Sequence, residues 1–173
     1  GTPLGNRLRH LLKFSDIPLS PETELLLFNA SRSQLVADVI RSAQAKGEVV
    51  LSDRFTDSTL AYQGYGHDLG QADMARLHRL VLDDFQPNLT VILDIPDDVG
   101  LARAGKRETA EGAGEDRYER MGPDFHRRIR DGFMDIARRD PERCAVIDAD
   151  QTPEDVHRAI LNLIELRLGT VLA

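Results

Sequence analysis

Residues 48–64 read Glu48-Val49-Val50-Leu51-Ser52-Asp53-Arg54-Phe55-Thr56-Asp57-Ser58-Thr59-Leu60-Ala61-Tyr62-Gln63-Gly64, and their first half decides how the rest is organised. The run over 48–53 is short, apolar and rich in β-branched residues, the composition of a strand buried on both faces. It closes on an aspartate followed at once by arginine. Two further runs of the same kind, over 89–95 and 144–148, also carry an aspartate at or near their ends. Helical periodicity fills the intervals near 71–85, 99–104 and 118–138, and a last helix is expected over 153–168. Strands alternating with helices predict an α/β fold in which helices flank a parallel sheet on both sides. Ligands of such sheets sit beyond the carboxyl ends of the strands, which directs attention to the residues after Asp53, Asp94 and Asp148.

The remainder of the chain suits this plan. Leu4, Leu8, Leu11 and Leu12 share one face of a short helix beginning near Pro3. Ser20-Pro21 is an N-cap followed by proline at the first helical position. A long helix then runs through Leu25, Phe28, Leu35, Val36 and Val39 until Gly47 stops it. No internal repeat or interdomain linker interrupts residues 1–173, so a single domain is expected. The segment over 105–116, rich in glycine and charge, reads as a surface loop.

Composition removes several classes of function. The 173 residues carry 22 Lys+Arg against 29 Asp+Glu, a formal net charge of −7, which argues against a broad basic face for nucleic acid. Cys144 is the only cysteine, so neither a disulfide framework nor a multi-cysteine zinc site exists, and a reducing cytoplasm is the expected compartment. No apolar run approaches the length that crosses a membrane. The five histidines are scattered without the spacing of metal ligands.

The pair at the tip of 48–53 admits two readings. Asp53 can hold a magnesium ion directly or through water, and Arg54 offers a planar fork of donors matched to phosphate oxygens. Alternatively, the two side chains pair with each other and staple the strand end.

The run from Asp53 to Gly64 resembles the signature of thymidylate kinases, D-R-[YHF]-x-x-S-[ST]-x-A-Y-Q-G. Other segments resemble the same family in the same order. They are Gly1-Thr2-Pro3-Leu4-Gly5, Leu27-Phe28-Asn29-Ala30-Ser31-Arg32, Pro87-Asn88-Leu89-Thr90 with Leu93-Asp94, Gly100-Leu101-Ala102-Arg103, Asp116-Arg117-Tyr118-Glu119 and Ile147-Asp148-Ala149. The resemblance implies a P-loop nucleoside monophosphate kinase-like sheet and transfer of the ATP γ-phosphoryl group to dTMP, with magnesium, in a homodimer. It further implies that Phe28 stacks on the thymine ring and that Arg32, one helical turn on, donates to the base. Arg54 would clamp the acceptor phosphate, Thr59 would face the base, and Tyr62 would pack against the deoxyribose with Gln63 beside it. Asp53 would lie near the metal and the transferring group. The segment over 103–117 resembles the lid, whose Arg103, Lys106, Arg107 and Arg117 would offset charge on the phosphates; Arg103, Arg107 and Arg117 are the candidate catalytic arginines.

One element of the family is missing from the sequence. Nothing in it matches G-x-x-x-x-G-K-[ST], the loop that holds the ATP phosphates. In the family fold the strand before that loop lies between those expected over 48–53 and 89–95. The expectation is that about forty residues of a complete kinase precede Gly1, an estimate from domain size. The alternatives are a non-catalytic nucleotide-binding or dimerisation module and another nucleoside monophosphate kinase.

Overall fold

The computed structural model describes residues 1–14, 16–103, 117–118 and 120–169. Helix α1 spans Pro3–Phe14 and packs on α2, Pro21–Leu35. Ser20 Oγ accepts the Thr23 amide at 3.2 Å, and Pro21 takes the first helical position, where its missing N–H costs nothing. The helix continues through a π-helical turn, Val36–Ile40, into α3, Arg41–Ala45. Gly47 then reverses the chain at φ +75°, a conformation that a Cβ would disfavour.

The apolar run over 48–53 forms no strand. It has no strand partner among the described residues, and Leu51 is 92% exposed. A strand is defined by its neighbour as much as by its composition, and no described segment forms a ladder with this one. Two strands of the expected three are present: β1, Thr90–Asp94, and β2, Cys144–Asp148. They pair in parallel from Thr90↔Cys144 to Asp94↔Asp148, so both terminal aspartates stand at the same end. Leu93 at 49% and Val146 at 40% exposure show how incompletely this small sheet is covered.

Three helical segments separate Phe55 from β1. These are α4, Thr56–Thr59, a longer π-helical stretch, Leu60–Gly66, and α5, Gln71–Leu82, which ends on Asp83 in the left-handed region. A short helix, α6, follows β1 over 97–103. Helix α7 is Pro123–Arg139 rather than 118–138. Gly122-Pro123 supplies its start, because a proline that ends one turn can open a helix but not sit inside one. Finally α8, Pro153–Leu168, begins on Thr152, whose Oγ1 accepts the Asp155 amide at 3.2 Å, and ends at Gly169.

The main core lies where α7 crosses the 60–66 segment and β1. Phe125, Ile129 and Ile136 of α7 pack with Ala61, Ile92 and Cys144. Two glycines make this crossing close: a Cβ on Gly132 would stand 2.6 Å from Tyr65 Cγ, and one on Gly66 would stand 2.7 Å from Phe125 Cε2. The Tyr65 hydroxyl donates to Asp135, which also pairs with Arg138 and Arg139. A second cluster of Val36, Ile40 and Leu82 holds the middle of the long helix against α5.

Two ion pairs fix the sheet. Arg130 of α7 donates to both Asp94 oxygens, at 2.7 and 3.0 Å. These bonds hold the Asp94 carboxyl below its ordinary value of 3.8, against the opposing effect of burial. A carboxylate with a depressed folded pKa stabilises fully above its unfolded pKa, and that contribution disappears as pH falls through the folded value. Asp94→Asn should therefore lower stability near neutrality and flatten the pH dependence below about 4, read by thermal melts across pH 2–7. The second pair joins Arg143 to Asp57 through two bonds, at 2.6 and 2.9 Å, with Thr90 Oγ1 donating to Asp57 at 2.8 Å. That pair ties α4 to both strands.

Candidate functional site

Glu24, Phe28 and Arg32 occupy successive turns of α2, at i, i+4 and i+8, and so share one face. Phe28 packs into the main core, 6.3 Å from the ring of Tyr118. Arg32 is buried. Its Nη2 donates to the Phe55 carbonyl at 3.0 Å and its guanidinium lies 5.4 Å from the Phe55 ring centre. Its Nη1 has no hydrogen-bond partner among the described residues. Burial pushes the Arg32 pKa down to about 10, with Asp57 pulling the other way, so the group stays charged at neutral pH. Arg32 and Thr59 line a cavity of about 330 Å³, bordered also by Asn29, Met74, His78 and Gln86. Burial depresses His78 below its ordinary range, which favours the neutral ring.

The signature residues fall on the exposed turn at Asp53-Arg54, on α4 and on the π-helical stretch. Asp53 and Arg54 are both exposed, so this tip is not the buried staple of the second reading. Arg54 holds a left-handed backbone, φ +68°, and its guanidinium lies 4.9 Å from the centre of the Tyr62 ring, within cation–π range. Tyr62 in turn meets Tyr118 edge-on at 5.5 Å. Gln63 is fully buried and its Nε2 has no hydrogen-bond partner among the described residues. The π-helical stretch is what separates these roles, because an i→i+5 turn rotates successive side chains by less than an α-turn does.

The structure therefore brings Phe28, Arg54 and Tyr62 around one aromatic cluster, and Arg32 and Thr59 onto the adjoining cavity. The other candidates lie apart. Arg103 of α6 donates to the Ala149 carbonyl at 2.8 Å and to Asp150 at 3.0 Å. It borders a second, shallower recess of about 310 Å³ with Gln151, Val156 and His157. Arg117 donates to Glu24 Oε1 at 3.0 Å and to the Ile17 carbonyl at 2.5 Å. Arg107 and Lys106 fall outside the described residues. No group of three or more His, Cys, Asp or Glu side chains is arranged as a metal cage among the described residues.

Sequence reasoning missed Glu24, which is buried against Arg117, Tyr118 and His67. The usable signal was its register with Phe28 and Arg32, which places it on the inward face despite its charge. Arg143 was missed too, and nothing in its local sequence distinguishes it from a solvated arginine.

Known proteins carry the same organisation. A family model described as thymidylate kinase matches residues 1–160. The thymidylate kinase of Geotalea uraniireducens is 44% identical over 171 residues, covering 98% of this chain and 80% of the relative. That of Cereibacter sphaeroides is 48% identical over 157 residues, covering 90% and 72%. The crystal structure of thymidylate kinase from Ehrlichia chaffeensis superposes with a TM-score of 0.71 at 32% identity, over 95% of this chain and 75% of that one. Similarity of this extent, in sequence and in fold together, has one explanation: the chain belongs to the thymidylate kinase family.

Proposed function

We propose that the protein transfers the γ-phosphoryl group of ATP to thymidine 5′-monophosphate, and that Phe28, Arg32, Arg54, Thr59, Tyr62 and Gln63 form its acceptor site within a single domain over 1–173. The observation that carries this reading is the buried guanidinium of Arg32, a residue that borders a cavity and whose Nη1 has no partner among the described residues. A buried donor left unpaired costs about 1–3 kcal/mol. A carbonyl on a pyrimidine ring would satisfy it, while Phe28 one turn away supplies an apolar ring. Arg54, exposed at the tip, suits a phosphate oxygen of the same acceptor.

In the reaction an acceptor phosphate oxygen forms a bond to the γ-phosphorus as the bond to the β–γ bridging oxygen breaks, and ADP leaves with that electron pair. Positioning and charge neutralisation supply most of the catalysis in such transfers. Arg54 orients the nucleophile. Arg103, Arg107 and Arg117 are proposed to offset negative charge on the phosphates, with Arg103 also bordering the second recess. Magnesium fits the donor set, because a single exposed carboxylate, Asp53, suits an ion that keeps several waters and shares its remaining positions with phosphate. When bound, that ion would neutralise phosphate charge.

We also assign a homodimer and a cytoplasmic location. Exposed Leu26 and Val39 on the long helix support the first. A single cysteine, Cys144, which can form no internal disulfide within this sequence, supports the second. No described helix is long and apolar enough to cross a membrane.

The test is ADP and nucleoside diphosphate production with ATP, magnesium and each of dTMP, dUMP, dCMP and dGMP. The expected result is turnover with dTMP first and dUMP second. One buried methyl group, at about 0.8 kcal/mol, gives roughly fourfold discrimination unless the pocket is tight. Turnover led by another monophosphate would reassign the acceptor, and dTMP binding without turnover would make the chain a non-catalytic module.

A further inference from the structure

The proposed acceptor site leaves Glu24 without a role, although it is buried one turn before Phe28 on the same helix face. Its carboxylate gathers donors from segments far apart in sequence. Oε1 accepts from Arg117 at 3.0 Å, Oε2 accepts from the Tyr118 hydroxyl at 3.0 Å, and His67 Nε2 lies 3.4 Å from Oε2. Burial would raise the Glu24 pKa, but His67, Tyr118 and Arg117 outweigh it and hold the group low, so it is ionised. The phenol it fixes has a second contact surface. The Tyr118 ring stands edge-on to Tyr62 at 5.5 Å and 6.3 Å from Phe28, touching both aromatic residues of the proposed nucleoside pocket.

We propose that Glu24 and Tyr118 are positioning residues for the nucleoside of the acceptor: the carboxylate fixes the phenol, and the phenol ring sets where Phe28 and Tyr62 stand. The inference rests on the acceptor-site reading above. Its reasoning is geometric. An aromatic ring free to turn about its Cα–Cβ bond cannot define the spacing of two neighbours, whereas one tethered at its far end to a buried charge can. Tyrosine serves here because its ring packs while its hydroxyl reaches a partner.

Three variants test it. Tyr118→Phe removes a single oxygen and leaves the ring, Tyr118→Leu removes the ring, and Glu24→Ala removes the anchor. Each is assayed for dTMP and ATP dependence of turnover, with dTMP binding by calorimetry and thermal melting alongside. For Tyr118→Phe the KM and Kd for dTMP should rise roughly three- to tenfold, the equivalent of one lost hydrogen bond, with the KM for ATP unchanged. Tyr118→Leu and Glu24→Ala should raise them further. A dTMP affinity in Tyr118→Phe within twofold of the parent would overturn the proposal. So would a rise in the KM for ATP in step with that for dTMP, the mark of a general structural role. Should Glu24→Ala fail to fold, Tyr118→Phe decides alone. A parent protein that does not bind dTMP would instead remove the acceptor-site reading, and the inference with it.

Discussion

Arg32→Met should weaken dTMP binding by roughly ten- to hundredfold, the effect of losing a charge-assisted hydrogen bond, while thermal stability stays level or rises. The two signs come from one fact. The guanidinium is buried with Nη1 unpartnered among the described residues, and burial lowers its pKa to about 10, so the folded protein without ligand bears the cost of a desolvated charge. Methionine fills similar volume without that charge and is adaptable enough to pack against Phe55. Against that gain stand the bond from Nη2 to the Phe55 carbonyl, the cation–π contact with the Phe55 ring and the attraction of Asp57, which the lowered pKa shows to be outweighed by desolvation. Calorimetric titration with dTMP and a thermal melt of the same preparation check both halves. A fall in stability with unchanged dTMP affinity would show Arg32 to be a structural brace between α2 and the signature segment.

Asp57→Ala should lower the free energy of unfolding by about 3–5 kcal/mol, the usual consequence of removing one partner from a buried ion pair. Asp57 accepts two bonds from Arg143 and one from Thr90, and both charged side chains are well shielded from water. Without the carboxylate, Arg143 keeps its 2.7 Å bond to Asp140 and its 2.9 Å bond to Thr90 Oγ1, and its charge stays largely desolvated. The double variant Asp57→Ala, Arg143→Met should recover much of the loss, since the stranded charge is then gone too. Urea denaturation of the parent, single and double variants measures this directly. Equal instability of the single and double variants would show that the pair is a true net stabiliser rather than a mutual compensation.

How far the sequence announced these features depends on whether each is local. Strand β2 coincides with the apolar run over 144–148, and α8 with the pattern opened by Thr152-Pro153, because periodicity and caps are written in neighbouring residues. The run over 48–53 has the same composition as the true strands yet pairs with nothing described, because pairing is decided by a segment elsewhere. The start of α7 was misplaced by five residues since helical periodicity extends past Gly122-Pro123, whose breaking effect was the better guide. Neither π-helical stretch was legible, as a shift of backbone bonding from i+4 to i+5 leaves no compositional trace. Among the residues of the proposed site, the i, i+4 spacing anticipates that Phe28 and Arg32 share a helix face, as they do on α2. Glu24 is signalled only by its register on that face and Arg143 not at all, because a charged side chain on a helix or in a turn reads as solvated until its distant partners are known.

Arg54 sits at φ +68°, where a residue other than glycine is disfavoured by about 1–2 kcal/mol. A directed-evolution screen that rewards only heat tolerance should therefore drift toward glycine or asparagine at this position, since either relaxes the turn. Such a screen would return sturdier molecules that have discarded the proposed phosphate clamp. Position 54 is thus a place to hold fixed in any library built for robustness, and a place to look first when a hardened variant comes back inactive.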